Sequence, residues 1–122
     1  MSLKIFCDIA DLKLIKKFNK KKIVKGFTTN PSLIRKAGAK NYLNYCRKIL
    51  RASNNKPVSL EVFADNYSEM KKQALILDKL GKNVYVKIPV CNSKGIFTWA
   101  VRAHEKIIEV AINFCMIIIK LN

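Results

Sequence analysis

The sequence predicts an α/β fold whose strands run parallel, and three observations lead to that prediction. Four short runs rich in apolar and β-branched residues recur along the chain, at 3–8, 23–29, 57–63 and 83–90. Amphipathic segments with capping residues separate these runs, as the crossovers between parallel strands require. The resulting alternation of strands and helices is typical of an α/β protein with right-handed crossovers.

The first two strands are each followed by a helix with a recognisable start. Asp11 is placed to cap the helix that follows residues 3–8. The apolar residues of that helix are Leu12, Ile15 and Phe18. After residues 23–29, Asn30 is a typical N-cap and Pro31 fits the first helical position, where its missing N–H costs nothing. We therefore expect a helix to begin soon after each strand.

Two further helices are predicted on either side of the third strand, residues 57–63. The helix over 40–52 carries apolar residues on or near one side, namely Tyr42, Leu43, Cys46, Ile49 and Leu50. Ser68 predicts the N-cap of a helix over 69–80. The apolar stripe of that helix is Ala74, Leu75 and Leu77. The fourth strand, 83–90, completes the pattern.

Three of the strands carry one ionisable residue near the C-terminal end: Asp8, Glu61 and Lys87. Burying an ammonium group costs several kcal/mol unless it is paired, so packing does not explain Lys87 in an apolar strand. A buried lysine shifts toward the free amine, which forms Schiff bases with carbonyl substrates. If the strands lie side by side in parallel, the two acids and the lysine converge at one end of the sheet.

Four segments resemble, in order and spacing, the first four strands of a transaldolase: 6–10, 26–34, 58–62 and 84–89. Their most specific parts are the Thr-Thr-Asn-Pro-Ser run at 28–32 and the Val-Lys-Ile-Pro run at 86–89. The small transaldolases and the related fructose-6-phosphate aldolases are class I (β/α)8 barrels that need no cofactor. The resemblance covers about 4–90, and it implies a partial TIM barrel of about the first four β/α units.

The resemblance also implies roles for five residues. Lys87 would attack the ketose carbonyl, Asp8 would take the proton of the C4 hydroxyl, and Glu61 would shuttle protons, through a water molecule, during Schiff-base formation and hydrolysis. Thr28 and Asn30 would hydrogen-bond substrate hydroxyls or that water. Transaldolases carry glutamate at the position of Glu61, whereas the aldolases tend to carry glutamine. This favours transfer of a dihydroxyacetone unit between sugar phosphates, the transaldolase step of the pentose phosphate pathway, over fructose-6-phosphate aldolase cleavage.

Each of these residues also has a purely structural interpretation. Asn30 is explained by the N-cap alone, and Thr28 by an ordinary strand end. Asp8 and Glu61 could serve as salt-bridge partners of Lys87 in a structural network. The joint pattern favours the catalytic interpretation, because the ionisable residues recur at the end of the strands where barrel active sites are built.

Chain length limits what the resemblance implies about activity. A complete barrel usually needs about 250 residues, and this chain has 122. Four parallel strands cannot close a barrel, so a non-catalytic fragment is an alternative, and pairing of two copies would restore eight strands. We expect residues 1–95 to form the N-terminal half of the barrel. Residues 96–122 are expected to be a divergent tail with an atypical, mostly apolar helix over 99–119.

Charge and hydropathy bear on other classes of partner. The formal net charge of +16 permits phosphate contacts, but the lysine clusters at 16–17 and 20–22 carry little aromatic interleaving, so we expect no specific nucleic-acid partner. A basic surface would also attract sugar phosphates. Glu109 and Asn113 interrupt the apolar tail, which argues against a membrane span. No signal peptide is visible at the N-terminus, and a cytoplasmic location is expected.

The cysteines give no sign of a metal site. Cys7, Cys46, Cys91 and Cys115 are widely spaced, without a Cys-x-x-Cys pair, and His104 is the single histidine. We expect reduced thiols, with Cys7 and Cys46 in or near the core, and neither a metal nor a disulfide. The sequence also has no glycine-rich phosphate loop, so no nucleotide cofactor is expected.

Overall fold

The computed structural model describes residues 3–89, 91–96, 107–113 and 116–121. These form six strands and four helices among the described residues. In chain order the elements are β1 (Ile5–Asp8), α1 (Leu12–Asn19), β2 (Val24–Thr28), α2 (Pro31–Lys36), α3 (Tyr42–Ser53), β3 (Val58–Glu61), α4 (Tyr67–Asp78), β4 (Val84–Pro89), β5 (Ile107–Asn113) and β6 (Met116–Leu121).

The first four strands form the parallel sheet that the sequence predicts. Their order in space is β1-β2-β3-β4, each strand pairs in parallel with the next, and helices occupy the connections between them. This confirms the predicted α/β class, and the architecture agrees with part of a (β/α)8 barrel. The C-terminal ends of the four strands consequently lie at one edge of the sheet, where the predicted site residues are found.

The helix starts agree with the sequence prediction in two cases and differ in one. Asp11 and Asn30 cap α1 and α2, and each side chain accepts a hydrogen bond from the backbone N–H three residues on. The prediction that Ser68 caps α4 was wrong, because Asn66 accepts from the N–H of Glu69 at 2.9 Å. The earlier start brings Tyr67 and Ser68 into the helix.

The buried face of α4 differs in part from the predicted apolar stripe. Met70, Ala74 and Leu77 follow one another at the spacing of a single helix face, and all three are buried. Leu75, which the sequence analysis placed in the apolar stripe, is 43% exposed. The buried stripe of α4 thus begins at Met70, in the first turns of the helix.

The core lies between the helices and one face of the sheet. In β3 and β4 the strand residues on this face are fully buried, and they are Val58, Leu60, Val84, Val86 and Ile88. Helix residues such as Ile15, Cys46 and Ile49 form the other half of the core cluster. Removing this much apolar surface from water is the main driving force for folding of the parallel unit.

The prediction of a helix in the C-terminal tail was wrong for the described part of that segment. Residues 107–113 and 116–121 form β5 and β6, and β6 pairs antiparallel with β4. The rest of the predicted helix lies outside the described residues. Two physical reasons favour strands here: isoleucine is β-branched, and β4 would otherwise present an unpaired edge. The division of the chain into 1–95 and 96–122 stays a prediction.

No helix in the described part of the chain has the length and apolar character needed to cross a membrane.

Candidate functional site

Lys87 and Glu61 form an ion pair at the C-terminal ends of β4 and β3. Lys87 Nζ lies 3.2 Å from Glu61 Oε2, and the two side chains are only 13% and 15% exposed. The two residues are direct neighbours in the parallel register of these strands. An amine and a carboxylate are therefore held in contact in a place with little access to solvent.

Strand alternation places this pair on the face away from the core. Val86 and Ile88 are fully buried on the helix-covered face, so Lys87 between them must point to the opposite side. In β3, Leu60 and Val62 are buried on the helix-covered face and Glu61 again lies between them. The apolar residues thus determine the direction of both ionisable side chains, as the sequence predicts.

Asp8 and Thr28 form a second polar pair at the ends of β1 and β2. The Thr28 hydroxyl donates a hydrogen bond of 2.8 Å to Asp8 Oδ1, and the two residues are opposite each other in the strand register. Asp8 is exposed and Thr28 is half-buried. One carboxylate oxygen of Asp8 is thus oriented by a neighbouring hydroxyl on the same edge of the sheet.

The two pairs lie at neighbouring levels of the sheet and do not share a direct contact. Thr28 pairs with Ser59, and Ser59 lies two residues before Glu61 on the same strand. A step of two residues along a strand is about 6.6 Å and a step to the next strand about 4.8 Å, so the Cα atoms of Thr28 and Glu61 are about 8 Å apart. A small substrate could therefore reach both pairs.

Asn30 occupies the N-cap of α2, where its Oδ1 accepts a hydrogen bond of 2.9 Å from the N–H of Leu33. The structural role predicted for Asn30 is thereby confirmed, and its role in substrate binding stays a prediction. The neighbouring Thr29 is fully buried, and its hydroxyl donates to the carbonyl oxygen of Ser59 at 2.8 Å. Of the two threonines in this run, Thr28 is therefore the one whose hydroxyl belongs to a polar pair.

The sequence analysis did not identify Tyr42 as part of this region. The Tyr42 hydroxyl donates to the backbone carbonyl of Glu61 at 2.8 Å and accepts from the N–H of Glu61 at 3.3 Å. Its ring also makes an edge-to-face contact with Phe63, with 5.3 Å between the ring centroids. Tyr42 had been assigned only to an apolar helix face. The signal that could have found it is the polar hydroxyl, which needs a partner when the ring is buried.

Burial around Tyr42 affects two ionisable groups. Loss of solvation raises the pKa of the Tyr42 phenol well above its usual range, and it raises the pKa of the Cys46 thiol to about 12. Both groups are consequently protonated at neutral pH. The Tyr42 hydroxyl can then act as a hydrogen-bond donor to Glu61.

Side-chain contacts also connect the loops that follow β3 and β4. Asp65 accepts hydrogen bonds from the backbone N–H and the hydroxyl of Ser93, and these bonds lower the pKa of its carboxyl group. Gln73 Oε1 accepts from the backbone N–H groups of Phe63 and Ala64 at 3.0 and 3.1 Å. The loop that leaves β3 is thus attached both to α4 and to the loop after β4.

Within the described residues there is no group of three or more His, Cys, Asp and Glu side chains that could hold a metal ion. Cys46 is buried and Cys7 is half-buried, as predicted, whereas Cys91 is exposed. All three are free thiols.

Comparison with known proteins shows one family over most of the chain. The family model described as Transaldolase/Fructose-6-phosphate aldolase matches residues 5–115, which extends beyond the segment that carries the recognised motifs. A probable transaldolase of Brucella anthropi is 40% identical over 88 residues, which cover 72% of this chain and 40% of the relative. A probable transaldolase of Rhizobium meliloti is 41% identical over the same shares. The chain thus spans about 40% of the length of these curated relatives.

Proposed function

We propose that this chain, which belongs to the transaldolase/fructose-6-phosphate aldolase family, carries the Schiff-base part of a transaldolase site, with Lys87 as the nucleophile. The observation that supports the proposal most is the contact of 3.2 Å between Lys87 Nζ and Glu61 Oε2 on a little-exposed part of the sheet. A nucleophilic amine needs a base within hydrogen-bond reach to lose and regain protons. Glu61 has that geometry.

The first step in the proposed reaction is addition of the Lys87 amine to the C2 carbonyl of a ketose phosphate. Glu61 accepts a proton from the ammonium group before attack, and the amine nitrogen forms a bond to C2 as the carbonyl π bond breaks. A proton then moves from the nitrogen to the carbonyl oxygen, which gives a carbinolamine. Glu61 then returns the proton, directly or through a water molecule, to the departing hydroxyl, which leaves as water. The product is an iminium ion, whose positive nitrogen can accept the electron pair of a broken carbon–carbon bond.

Asp8 acts in the second step of the proposed reaction. Its carboxylate takes the proton of the C4 hydroxyl, the C3–C4 bond breaks, and the C4 fragment leaves as an aldose phosphate while the electron pair forms an enamine on Lys87. The enamine then attacks the aldehyde carbon of an acceptor, Asp8 returns its proton to the new hydroxyl, and hydrolysis releases a new ketose phosphate. The hydrogen bond of 2.8 Å from Thr28 orients the Asp8 carboxylate for this proton transfer.

Substrate binding in the proposed site is assigned to two polar residues and to the basic charge of the chain. Thr28 and Asn30 are proposed to hydrogen-bond substrate hydroxyls at the edge of the sheet, and the net charge of +16 attracts anionic sugar phosphates over longer distances. The proposed setting is carbohydrate metabolism in the cytoplasm, in the transaldolase step of the pentose phosphate pathway.

Covalent trapping tests this proposal directly. The protein is incubated with fructose 6-phosphate and borohydride, and the intact mass and a peptide map are recorded. We expect one reduced adduct per chain, on Lys87, which Lys87→Met abolishes. The matched control is Lys25→Met, because Lys25 is an exposed lysine in strand β2 of the same sheet, and we expect that variant to be trapped normally. Absence of an adduct from folded wild-type protein would mean that the chain alone has no Schiff-base activity.

A second assay separates transfer from simple cleavage. Transfer predicts that a new ketose phosphate forms only when an aldose phosphate acceptor is present, with little free dihydroxyacetone. Release of dihydroxyacetone at the same rate without an acceptor would favour the aldolase alternative. Glu61 favours transfer in this comparison, since the aldolases tend to carry glutamine at the corresponding position.

Self-association is part of the proposal, because the face that carries the polar pairs is open. Phe6 is 44% exposed on this side of the sheet. Two chains that cover each other's open faces would bury this ring and enclose Lys87 and Asp8. Sedimentation over a hundredfold range of concentration tests this directly. A monomer at every concentration would contradict the pairing, and a monomer that also forms no adduct would support the alternative of a non-catalytic fragment.

A further inference from the structure

We infer that Tyr42 is a positioning residue for Glu61, because its hydroxyl replaces a strand partner that β2 is unable to supply. The inference rests on the proposed function, since it concerns the carboxylate that contacts Lys87. Tyr42 lies on α3, behind the sheet, and touches only the backbone of Glu61 among the proposed catalytic residues. It therefore acts through Glu61 and is not itself proposed to contact the substrate.

The hydrogen bonds between β2 and β3 show where a partner is missing. The N–H of Phe27 donates to the carbonyl of Pro57 at 2.8 Å, and the N–H of Thr29 donates to that of Ser59 at 3.1 Å. A parallel ladder advances by two residues on each strand, so the next donor would be residue 31 and the next acceptor Glu61.

Residue 31 is proline, which has no N–H to donate. The chain also leaves the sheet at this point, because α2 begins at Pro31. The proline that starts α2 therefore removes the donor that a longer β2 would have offered to the carbonyl of Glu61. A buried backbone carbonyl without a partner is costly, so another group has to replace that donor.

The Tyr42 hydroxyl occupies the position of the missing partner. It donates to the Glu61 carbonyl at 2.8 Å and accepts from the Glu61 N–H at 3.3 Å, so one side chain satisfies both backbone groups. Tyr42 is the first residue of α3, and Asn41 fixes that start by accepting from the N–H of Asn44 at 2.9 Å. The Tyr42 hydroxyl is thus attached to a well-defined helix end.

The backbone around Glu61 is consequently held from two sides. Tyr42 binds it on the β2 side, and on the β4 side the N–H of Val62 donates to the carbonyl of Lys87 at 3.1 Å. The carboxylate of Glu61 is then presented to Lys87 Nζ at 3.2 Å. Proton transfer between two groups depends steeply on their separation, so a loosened Glu61 backbone should slow Schiff-base formation more than it weakens substrate binding.

Tyr42→Phe is the appropriate test, because it keeps the ring contact with Phe63 and removes only the hydroxyl. The chain offers a matched control on the same helix. Tyr45 is buried, and its hydroxyl donates to the backbone carbonyl of Ala10 at 3.0 Å. Tyr45→Phe therefore removes a comparable hydrogen bond from the core without touching Glu61.

Amide hydrogen exchange followed by NMR gives a readout that needs no activity. In Tyr42→Phe we expect the Glu61 amide to exchange about tenfold faster than in wild type, with the Leu60 amide unchanged, since one hydrogen bond is lost locally. In Tyr45→Phe the Glu61 amide should exchange as in wild type. Equal Glu61 exchange in wild type and Tyr42→Phe would overturn the inference.

Trapping kinetics then test whether the position of Glu61 matters for the reaction. With fructose 6-phosphate and borohydride, we expect the saturating rate of adduct formation to fall about tenfold in Tyr42→Phe, with the half-saturating concentration changed less than twofold. Tyr45→Phe should trap like wild type. Faster Glu61 exchange without a change in the saturating rate would overturn the positioning role. If wild type itself forms no adduct, the proposed function fails, while hydrogen exchange still decides whether Tyr42 holds Glu61.

Discussion

The two faces of the parallel sheet differ in what they do, although the same four strands supply both. The face covered by helices is apolar and closed, with 0% exposure for Val58, Leu60, Val84, Val86 and Ile88. The opposite face carries the Lys87–Glu61 and Asp8–Thr28 pairs and leaves Phe6 partly exposed. Alternate residues along one strand therefore belong to two environments.

Strand alternation places the residues that stabilise the fold on one face of the sheet and the polar pairs of the candidate site on the other. The stabilising free energy from burial on the covered face depends on the apolar area removed from water, at roughly 25 cal/mol per Å². It depends scarcely on the direction of the contacts. The polar pairs on the other face depend on geometry, because a charge removed from water contributes favourably only when its partner is in place. Substitutions on the covered face should consequently lower stability through lost apolar burial, whereas substitutions on the opposite face should act by leaving a charge without its partner.

The largest effect is expected from truncation on the covered face. Leu60→Ala should lower the free energy of unfolding by about 2–5 kcal/mol, because it removes a fully buried side chain and leaves a cavity. Leu3→Ala is the matched control, since Leu3 is 85% exposed and its loss should change stability by less than about 0.5 kcal/mol. Chemical denaturation measures both. Similar losses in the two variants would mean that burial on the covered face does not decide the loss of stability.

Gly26 tests how closely the open face is packed near β1. A Cβ at this position would lie 2.5 Å from Phe6 Cε1 and 2.6 Å from the carbonyl oxygen of Pro57. Gly26→Ala should therefore destabilise the fold by about 1–3 kcal/mol through overpacking. Adding Phe6→Ala should recover part of that loss only, because the backbone of Pro57 remains in the way. Thermal unfolding of the two variants measures these changes. If the surface at Gly26 were freely open, Gly26→Ala would leave the stability unchanged.

A double-mutant cycle on Glu61 and Lys87 tests the polar pair. Glu61→Gln and Lys87→Met should each destabilise the protein, because each leaves one charge alone in a place with little solvent access. The double variant should lose less than the sum of the two, with a coupling of about 0.5–3 kcal/mol. Stability losses that simply add would mean that the contact of 3.2 Å contributes nothing to folding.

The last expected effect is absent at neutral pH and appears only under alkaline conditions. Burial raises the pKa of Cys46 to about 12, whereas an unfolded thiol has a pKa near 8.5. The folded state thus disfavours the thiolate, so this contribution is fully present below about pH 8.5 and is lost as the pH rises toward 12. Stability should fall less steeply over that range in Cys46→Ala than in wild type. The exposed Cys91 provides the control, and a Cys91→Ala slope equal to that of Cys46→Ala would rule out the burial effect.

Much of the parallel unit could be predicted because the decisive signals are local. Alternation in β3 and β4 predicts that Glu61 and Lys87 share a face, and the structure places them in contact. Asp11 and Asn30 cap their helices as expected. The start of α4 was missed because Asn66 and Ser68 are both capping residues, and the local sequence does not decide between them.

The C-terminal tail and Tyr42 show the limit of such local signals. An apolar run near residue 117 fits a buried helix or a strand equally well, and the unpaired edge of β4 decides in favour of β6. Likewise, nothing in the residues around Tyr42 indicates that its hydroxyl meets Glu61, which lies nineteen positions further along the chain.

The sequence by itself determined the order of strands and helices from β1 to β4, the face on which Glu61 and Lys87 lie and the family to which the chain belongs, because alternation and motif spacing are written in consecutive residues. Only the tertiary structure decided which groups meet: Lys87 with Glu61, Asp8 with Thr28, and Tyr42 with the carbonyl that Pro31 leaves without a donor. The physical reason is that hydrogen bonds and ion pairs act over a few ångströms in space, and strand register and helix docking set those distances.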